Sequence, residues 1–148
     1  MRGAVAEAGV APDSVTALAL DTTCCSVVAL NGDGRPLRPA LIWMDVRSAE
    51  QAARVAACGD PVLRVNSDGH GPVSAEWMTP KALWLHEHER ATYDAAATLC
   101  EYQDYLNLRL TGRTVASINN AATRWHYDSR NGGFQESLAQ AVGAPGRT

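Results

Sequence analysis

The turn Asn31-Gly32-Asp33-Gly34 constrains this chain most, because it lies between two short apolar runs. Asn and Gly accept the positive φ that tight hairpin turns require, so the backbone is expected to reverse here. Residues 26–30 before the turn and 37–43 after it then read as two strands of a hairpin. A third apolar run, residues 15–20, ends at Asp21 and has the length and composition of a buried strand. Three strands within about thirty residues predict a meander on one sheet.

Helical signals dominate the rest of the chain. Residues 1–9 are alanine-rich and are stopped by Gly9 and Pro12. Residues 48–57 carry a helix pattern closed by Cys58-Gly59-Asp60-Pro61. A loop rich in Gly, Pro, Asn and Asp covers about residues 66–73. A helix is expected over 74–88, in which Trp77 and Trp84 share a face, as do Met78 and Leu85. Pro80 lies inside that pattern, so the helix either begins near it or kinks there. Residues 98–101 read as a short strand, 104–110 as a helix ended by Gly112, and 136–142 as a last helix. Asn119, Asn120 and Arg124 read as a polar, solvated loop. Strands mixed with helices in this order predict an α/β fold.

Composition excludes several functions. The 148 residues fit one domain, and 46% apolar residues suffice for a core. The net charge is −3 with Lys and Arg scattered, which does not suit a nucleic-acid backbone. No apolar run approaches the roughly 20 residues that span a bilayer, and the N-terminal stretch lacks the apolar core of a secretion signal. The four cysteines, Cys24, Cys25, Cys58 and Cys100, form no Cys-x-x-Cys pair. Two of them are adjacent and poorly placed to bridge one another, so a reducing cytoplasm is the expected setting. His70, His86, His88 and His126 show no spacing that would complete a zinc site with these thiols, so no metal is expected. His86 and His88, two apart, point to different faces of a helix.

Two blocks carry chemistry: Trp43-Met44-Asp45-Val46-Arg47 and Pro80-Lys81-Ala82-Leu83-Trp84-Leu85. Each sets a tryptophan beside fixed charges where an apolar stretch ends. That combination suits a polyhydroxylated molecule, with flat apolar surface for carbon and charged groups for hydroxyls. In order and spacing, these blocks and the turn Asp21-Thr22-Thr23-Cys24-Cys25 resemble the N-terminal domain of the FGGY carbohydrate kinases. The Asp-x-Thr-Cys turn is similar to the ribulokinase-like branch. Lys81, Trp84, Leu85, Glu87 and His88 match the family's Lys-x-x-Trp signature, although Glu76, Met78 and Ala82 depart from its usual pattern. Glu101 to Leu106 followed by Arg109-Leu110-Thr111-Gly112 resembles the family's Asp-x-Leu…Leu-Thr-Gly run.

The resemblance implies an actin-like, ribonuclease-H-like domain with a mixed sheet flanked by helices. It implies a kinase that moves the γ-phosphate of ATP, with Mg²⁺, onto a hydroxyl of a ketopentose or pentitol. Neither the family's Asp-x-Gly-Thr phosphate loop nor its Gly-Gly-x-Asp base segment occurs in residues 1–148. The chain is therefore expected to be the sugar-binding part of that domain, without the first phosphate-loop strand and the C-terminal domain. By itself it is expected to bind no ATP or Mg²⁺, to be inactive, and to be poorly soluble. The rival reading is a non-catalytic sugar-binding or subunit-contact module of the same fold; a small-molecule enzyme built on Cys24-Cys25 is weaker. The expected partner is a small sugar or polyol, with a homodimer left open, and neither nucleic acid nor membrane.

The sugar contacts expected from this resemblance are Asp21, Thr23 and Cys24 in the turn, then Trp43, Asp45, Glu76 and Trp77. Each has a structural alternative. Asp21 ends a strand and can accept turn amides, although polar groups there are also where α/β sheets bind ligands. Asp45 can cap the following helix and pair with Arg47. Trp43 and Trp84 suit the core at least as well as a sugar platform. Lys81 reads as an anchor for a carboxylate more readily than as a substrate contact.

Overall fold

The computed structural model describes residues 2–64, 73–134 and 136–143. Its helices are α1 (Arg2–Glu7), α2 (Ala49–Ala57), α3 (Met78–His88), α4 (Arg90–Ala95), α5 (Tyr102–Thr111), α6 (Ile118–Arg124) and α7 (Glu136–Ala141). Its strands are β1 (Val27–Leu30), β2 (Thr98–Glu101), β3 (Tyr127–Asp128) and β4 (Gly133–Phe134). Short 3-10 turns occupy Pro12–Ser14 and Pro61–Arg64. The α/β class is as expected. The loop expected over 66–73 lies, except for Val73, outside the described residues.

β1 pairs antiparallel with β2, placing Val27 opposite Glu101 and Leu30 opposite Thr98. All four residues of β1 are buried, as a continuous apolar strand requires when both its faces are covered. Its other edge is held by the hairpin. Asn31 shapes the turn: its Oδ1 accepts the Asp33 and Arg35 amides at 3.0 and 2.9 Å. Val27 and Leu41 then exchange backbone hydrogen bonds at 2.9 and 3.0 Å. The returning segment does not form the continuous strand expected over 37–43. It meets β1 beside Pro36, where the Leu37 N–H donates to Ala29 O at 2.9 Å, and again at Leu41, without a continuous ladder, because Pro36 and Pro39 have no N–H to give.

The strand expected over 15–20 does not form. Val15 and Leu18 are 49% and 56% exposed. Both edges of β1 are occupied, by β2 and by the hairpin, so no ladder there is open to this run. Its apolar character is real, but an isolated strand leaves its backbone groups unpaired.

Gly34 closes the hairpin at φ +71°, and a Cβ there would lie 2.9 Å from Leu108 Cδ2. Left-handed backbone is costly for a residue with a side chain. Gly34→Ala is expected to lower the unfolding free energy by about 1–2 kcal/mol, read as a shift in the denaturant midpoint at unchanged slope.

The helices explain themselves locally. α3 begins at Met78 with Trp77 as an extended N-cap. Pro80 falls in the first turn, where its missing N–H would have had no partner, so the helix starts near it and does not kink. α5 starts in a capping box: Asp104 accepts the Glu101 amide at 3.3 Å and Glu101 reciprocates. It stops at Gly112, left-handed at φ 71°. α6 corrects the reading of Asn119, Asn120 and Arg124 as a loop. Only Ala121 of its Ile-Asn-Asn-Ala-Ala-Thr-Arg sequence is buried, so it has no apolar period to recognise. The main core gathers Val27, Ala29, Leu41, Met78, Leu85, Tyr93, Leu99 and Trp125, joining the sheet to α3 and α4. A second cluster, Val55, Val62, Leu83 and Leu138, seats α2 and α7.

Candidate functional site

Lys81 organises the region to which the sequence pointed. It is 0% exposed, and its Nζ donates to Cys25 O at 2.7 Å, to Ile42 O at 2.7 Å and to Trp43 O at 3.4 Å. Its partners are thus backbone carbonyls, not the carboxylate expected. One ammonium has three donors, and here they pin the 21–25 turn and the 43–47 block against the start of α3. Burial lowers the Lys81 pKa, and the negative charges of Asp45, Glu76 and Glu101 oppose that shift. The charges of Asp45 and Glu76, two of the expected sugar contacts, thus act on the same buried cation.

The turn itself is strained. Cys25 has φ +68°, unusual for a residue with a side chain, and is held there from both sides. Its carbonyl is bound by Lys81, and its N–H donates to Glu101 Oε1 at 3.2 Å. Cys24, half-buried, packs on the main core beside Trp77, Ala82 and Trp84. The Cys24 and Cys25 sulfurs are 3.7 Å apart, and all four cysteines are free thiols. Burial, with Cys24 adding to it, pushes the Cys25 thiol up to about 12, so it is no nucleophile at neutral pH. Asp21 and Thr23 stand exposed on the same turn.

In the 43–47 block, Asp45 does not cap α2; Ser48 takes the N-cap position, with its hydroxyl donating to Ala75 O at 2.7 Å and not to the helix. Asp45 Oδ1 accepts the Arg47 amide at 3.1 Å and Arg47 Nε at 2.9 Å. Burial pushes the Asp45 carboxyl up, but the hydrogen bonds from Arg47 outweigh it and hold it below its usual range. Arg47 in turn lies over Trp84, 4.7 Å from the ring centroid. Trp43 is 42% exposed, so it lies at the surface and not in the core. Trp84 is partly buried against the core, with His88 stacked on it at 4.9 Å. His86 meets Tyr93 edge-on at 4.9 Å, a different direction, as their spacing predicted.

Three contributors were not legible in the sequence. Glu101 is 1% exposed, with Oε2 lacking a partner among the described residues. Burial raises its pKa to about 7, partly opposed by the Cys25 amide. His126, also buried and at φ +57°, faces Thr79 Oγ1 through Nδ1 at 3.0 Å and lies 5.6 Å from the Trp77 ring. Burial drives its pKa down to about 4, leaving a neutral imidazole. Arg124 lies over Trp77 at 5.2 Å. The only hint in the sequence was Arg124-Trp125-His126, a run of basic and aromatic residues following a polar stretch. A cavity of about 150 Å³, lined by Leu99, Cys100, Asp104, Ala121 and Trp125, holds none of the expected sugar contacts.

Residues 1–148 match the model of the FGGY family of carbohydrate kinases, N-terminal domain. The chain belongs to that family. This FGGY-family chain is 31% identical to a xylulose kinase of Streptomyces rubiginosus, over 95% of its own length and 29% of the relative's. It is 35% identical to a ribulokinase of Mycolicibacterium smegmatis, over 80% of its length and 23% of that protein's. Its fold is that of a xyloylose kinase from Brucella ovis, with a TM-score of 0.81 over 97% of this chain and 29% of that one, at 24% identity. The neighbouring FGGY kinases carry the actin-like, ribonuclease-H-like fold expected above. This chain spans 29% and 23% of the lengths of these two kinases. Among the described residues no helix is long and apolar enough to cross a membrane, and no three His, Cys, Asp or Glu side chains converge to hold a metal ion.

Proposed function

We propose that this chain supplies the sugar-recognition surface of an ATP-dependent carbohydrate kinase acting on a ketopentose or pentitol. The observation that carries this reading is Lys81. Through the Cys25, Ile42 and Trp43 carbonyls it draws two segments, distant in sequence, to the N-terminal end of α3. Asp21, Thr23, Cys24, Trp43, Asp45, Glu76 and Trp77 are the proposed contacts. Carboxylates there accept hydrogen bonds from hydroxyls, while the exposed Trp43 supplies apolar surface. The ribulokinase-like assignment rests on the Asp21-Thr22-Thr23-Cys24 turn. Relatives named as xylulose kinase and as ribulokinase both support a pentose as substrate.

ATP and Mg²⁺ accompany the family's reaction, in which ATP supplies the transferable phosphoryl group and the metal neutralises its charge. The donors of the two matched blocks do not fit them. Lys81 is fully engaged with backbone carbonyls, Arg47 is paired with Asp45, and no described carboxylate cluster suits a divalent ion. The division of labour we propose gives this chain recognition and leaves phosphate handling to other parts of an intact kinase.

Calorimetric titration of the chain with ribulose, xylulose, ribitol and glycerol tests this. Saturable binding of a five-carbon sugar or polyol, with glycerol weaker, is the expected result. Absence of binding by all four would sink the reading. ATP consumption by this chain alone would overturn the division of labour. Binding without turnover in an intact relative would favour the non-catalytic module.

A further inference from the structure

We propose that Arg124 is a specificity-determining residue of this sugar site, its guanidinium donating to adjacent hydroxyl oxygens of a neutral open-chain sugar or polyol. This inference rests on the reading of the site given above and extends it to a residue outside the matched motifs.

Three observations carry it. Arg124 ends α6, and the next two residues, Trp125 and His126, are buried and lock the chain in place. His126 is tied to Thr79 in the first turn of α3, 3.0 Å away. The end of α6 is thereby fastened to the same helix start that carries Glu76 and Trp77. Second, the guanidinium lies over the Trp77 ring at 5.2 Å, while His126 approaches that indole at 5.6 Å with a tilt of 54°. The ring face beneath Arg124 is therefore not an open apolar platform; a sugar arriving there meets a cationic donor. Third, the charge is held but not neutralised. Arg38, Arg47, Arg54 and Arg90 each have a carboxylate partner. Among the described residues no carboxylate forms an ion pair with Arg124, which is half-buried. Burial raises the Cys25 thiol's pKa, and the charge of Arg124 opposes that rise.

A guanidinium offers five N–H donors in a planar fork, which matches two neighbouring oxygens. The carboxylates proposed for this site, Asp21, Asp45 and Glu76, are acceptors when ionised. Together they suit a neutral chain of hydroxyls, each able to accept from Arg124 and donate to a carboxylate. An anionic sugar would gain from Arg124 but would be repelled by those three acids.

The test uses the whole 148-residue chain and its Arg124→Met and Arg124→Lys variants, titrated with ribitol, ribulose and ribonate. Wild type is expected to bind ribitol and ribulose more tightly than ribonate. Arg124→Met should weaken the two neutral ligands about tenfold, the scale of losing hydrogen bonds from a charged donor. Arg124→Lys, which keeps the charge and loses the fork, should weaken them about threefold. Thermal midpoints verify that each variant is folded, and Arg124→Lys carries the test if Arg124→Met is not. Wild-type affinity in either folded variant would overturn this inference while leaving the sugar-site reading intact. Tighter binding of ribonate than ribitol would overturn the assignment to neutral hydroxyls. Failure of wild type to bind any of the three would overturn the sugar-site reading, and this inference with it.

Discussion

Lys81→Met is expected to lower the unfolding free energy by about 2–4 kcal/mol and to abolish sugar binding. Methionine fills nearly the same volume, so the effect is not one of a cavity. It comes from the carbonyls left behind. Ile42 O keeps a second donor, the Asp45 amide at 3.0 Å. Cys25 O and Trp43 O have no other donor among the described residues; the Cys25 carbonyl is buried, and leaving it unpaired costs about 1–3 kcal/mol, with a smaller loss at the exposed Trp43. Relief from burying an ammonium offsets part of that sum, because such a charge is expensive to desolvate. Hydrophobic replacement of a buried ion pair is often harmless, since both charges can be removed together. Here the partners belong to the backbone and stay. Urea unfolding measures the loss, and hydrogen exchange locates it: the Leu41 and Asp45 amides should exchange faster, as the hairpin and the 43–47 block come loose. A stability change below about 0.5 kcal/mol, the usual range for a substitution that disturbs no buried feature, would refute the anchoring role.

Glu101→Gln is expected to remove one of two opposing pH dependences and so reveal the other. Glu101 has a folded pKa of about 7, against an ordinary 4.5. Between these values the folded state holds a proton that the unfolded state releases, so stability falls as pH rises from 4.5 to 7. Above pH 7 the penalty is complete, at about 3 kcal/mol by linkage. His126 works in the other direction. Its folded pKa of about 4, against 6.5, means that the unfolded state takes up the proton first as pH falls. Stability is therefore lost between pH 6.5 and 4, again by about 3 kcal/mol. The two slopes overlap and nearly cancel, so wild type should be almost flat between pH 4.5 and 6.5. Glutamine keeps an oxygen to accept the Cys25 amide but cannot ionise. The variant should be more stable than wild type at pH 8 and should lose stability steeply with acid below pH 6.5. Unfolding free energies from urea melts between pH 4 and 8 decide the matter. Parallel curves for the two proteins would show that Glu101 ionises normally.

Buried titratable groups of this kind were invisible in the sequence for a common reason. Glu101, Lys81 and His126 are ordinary surface residue types, and nothing in their neighbours announces burial. Lys81 is buried because its partners lie 56 and 39 residues away, at Cys25 and Ile42. Arg124 belongs to the same class: it was read as part of a solvated loop, yet the fold lays it over Trp77, 47 positions earlier in the chain. The family motif did mark Lys81 and the segment around Glu101 by position. It did not say what either side chain does.

The sequence by itself determined what local chemistry controls. Asn31 and the glycines around it set the hairpin turn, Gly112 ends α5, and the order of motifs places the chain among the FGGY kinases. Each depends on backbone preferences within a few residues, which are the same in any context. Only the tertiary structure decided pairing and burial. It left the apolar run 15–20 without a ladder, reduced the 37–43 strand to separate bridges, and set the charges of Asp45 and Glu76 to act on one buried ammonium. A strand needs a free edge, and a buried charge needs distant partners. Both are properties of how the chain closes on itself, and no short stretch of sequence contains them.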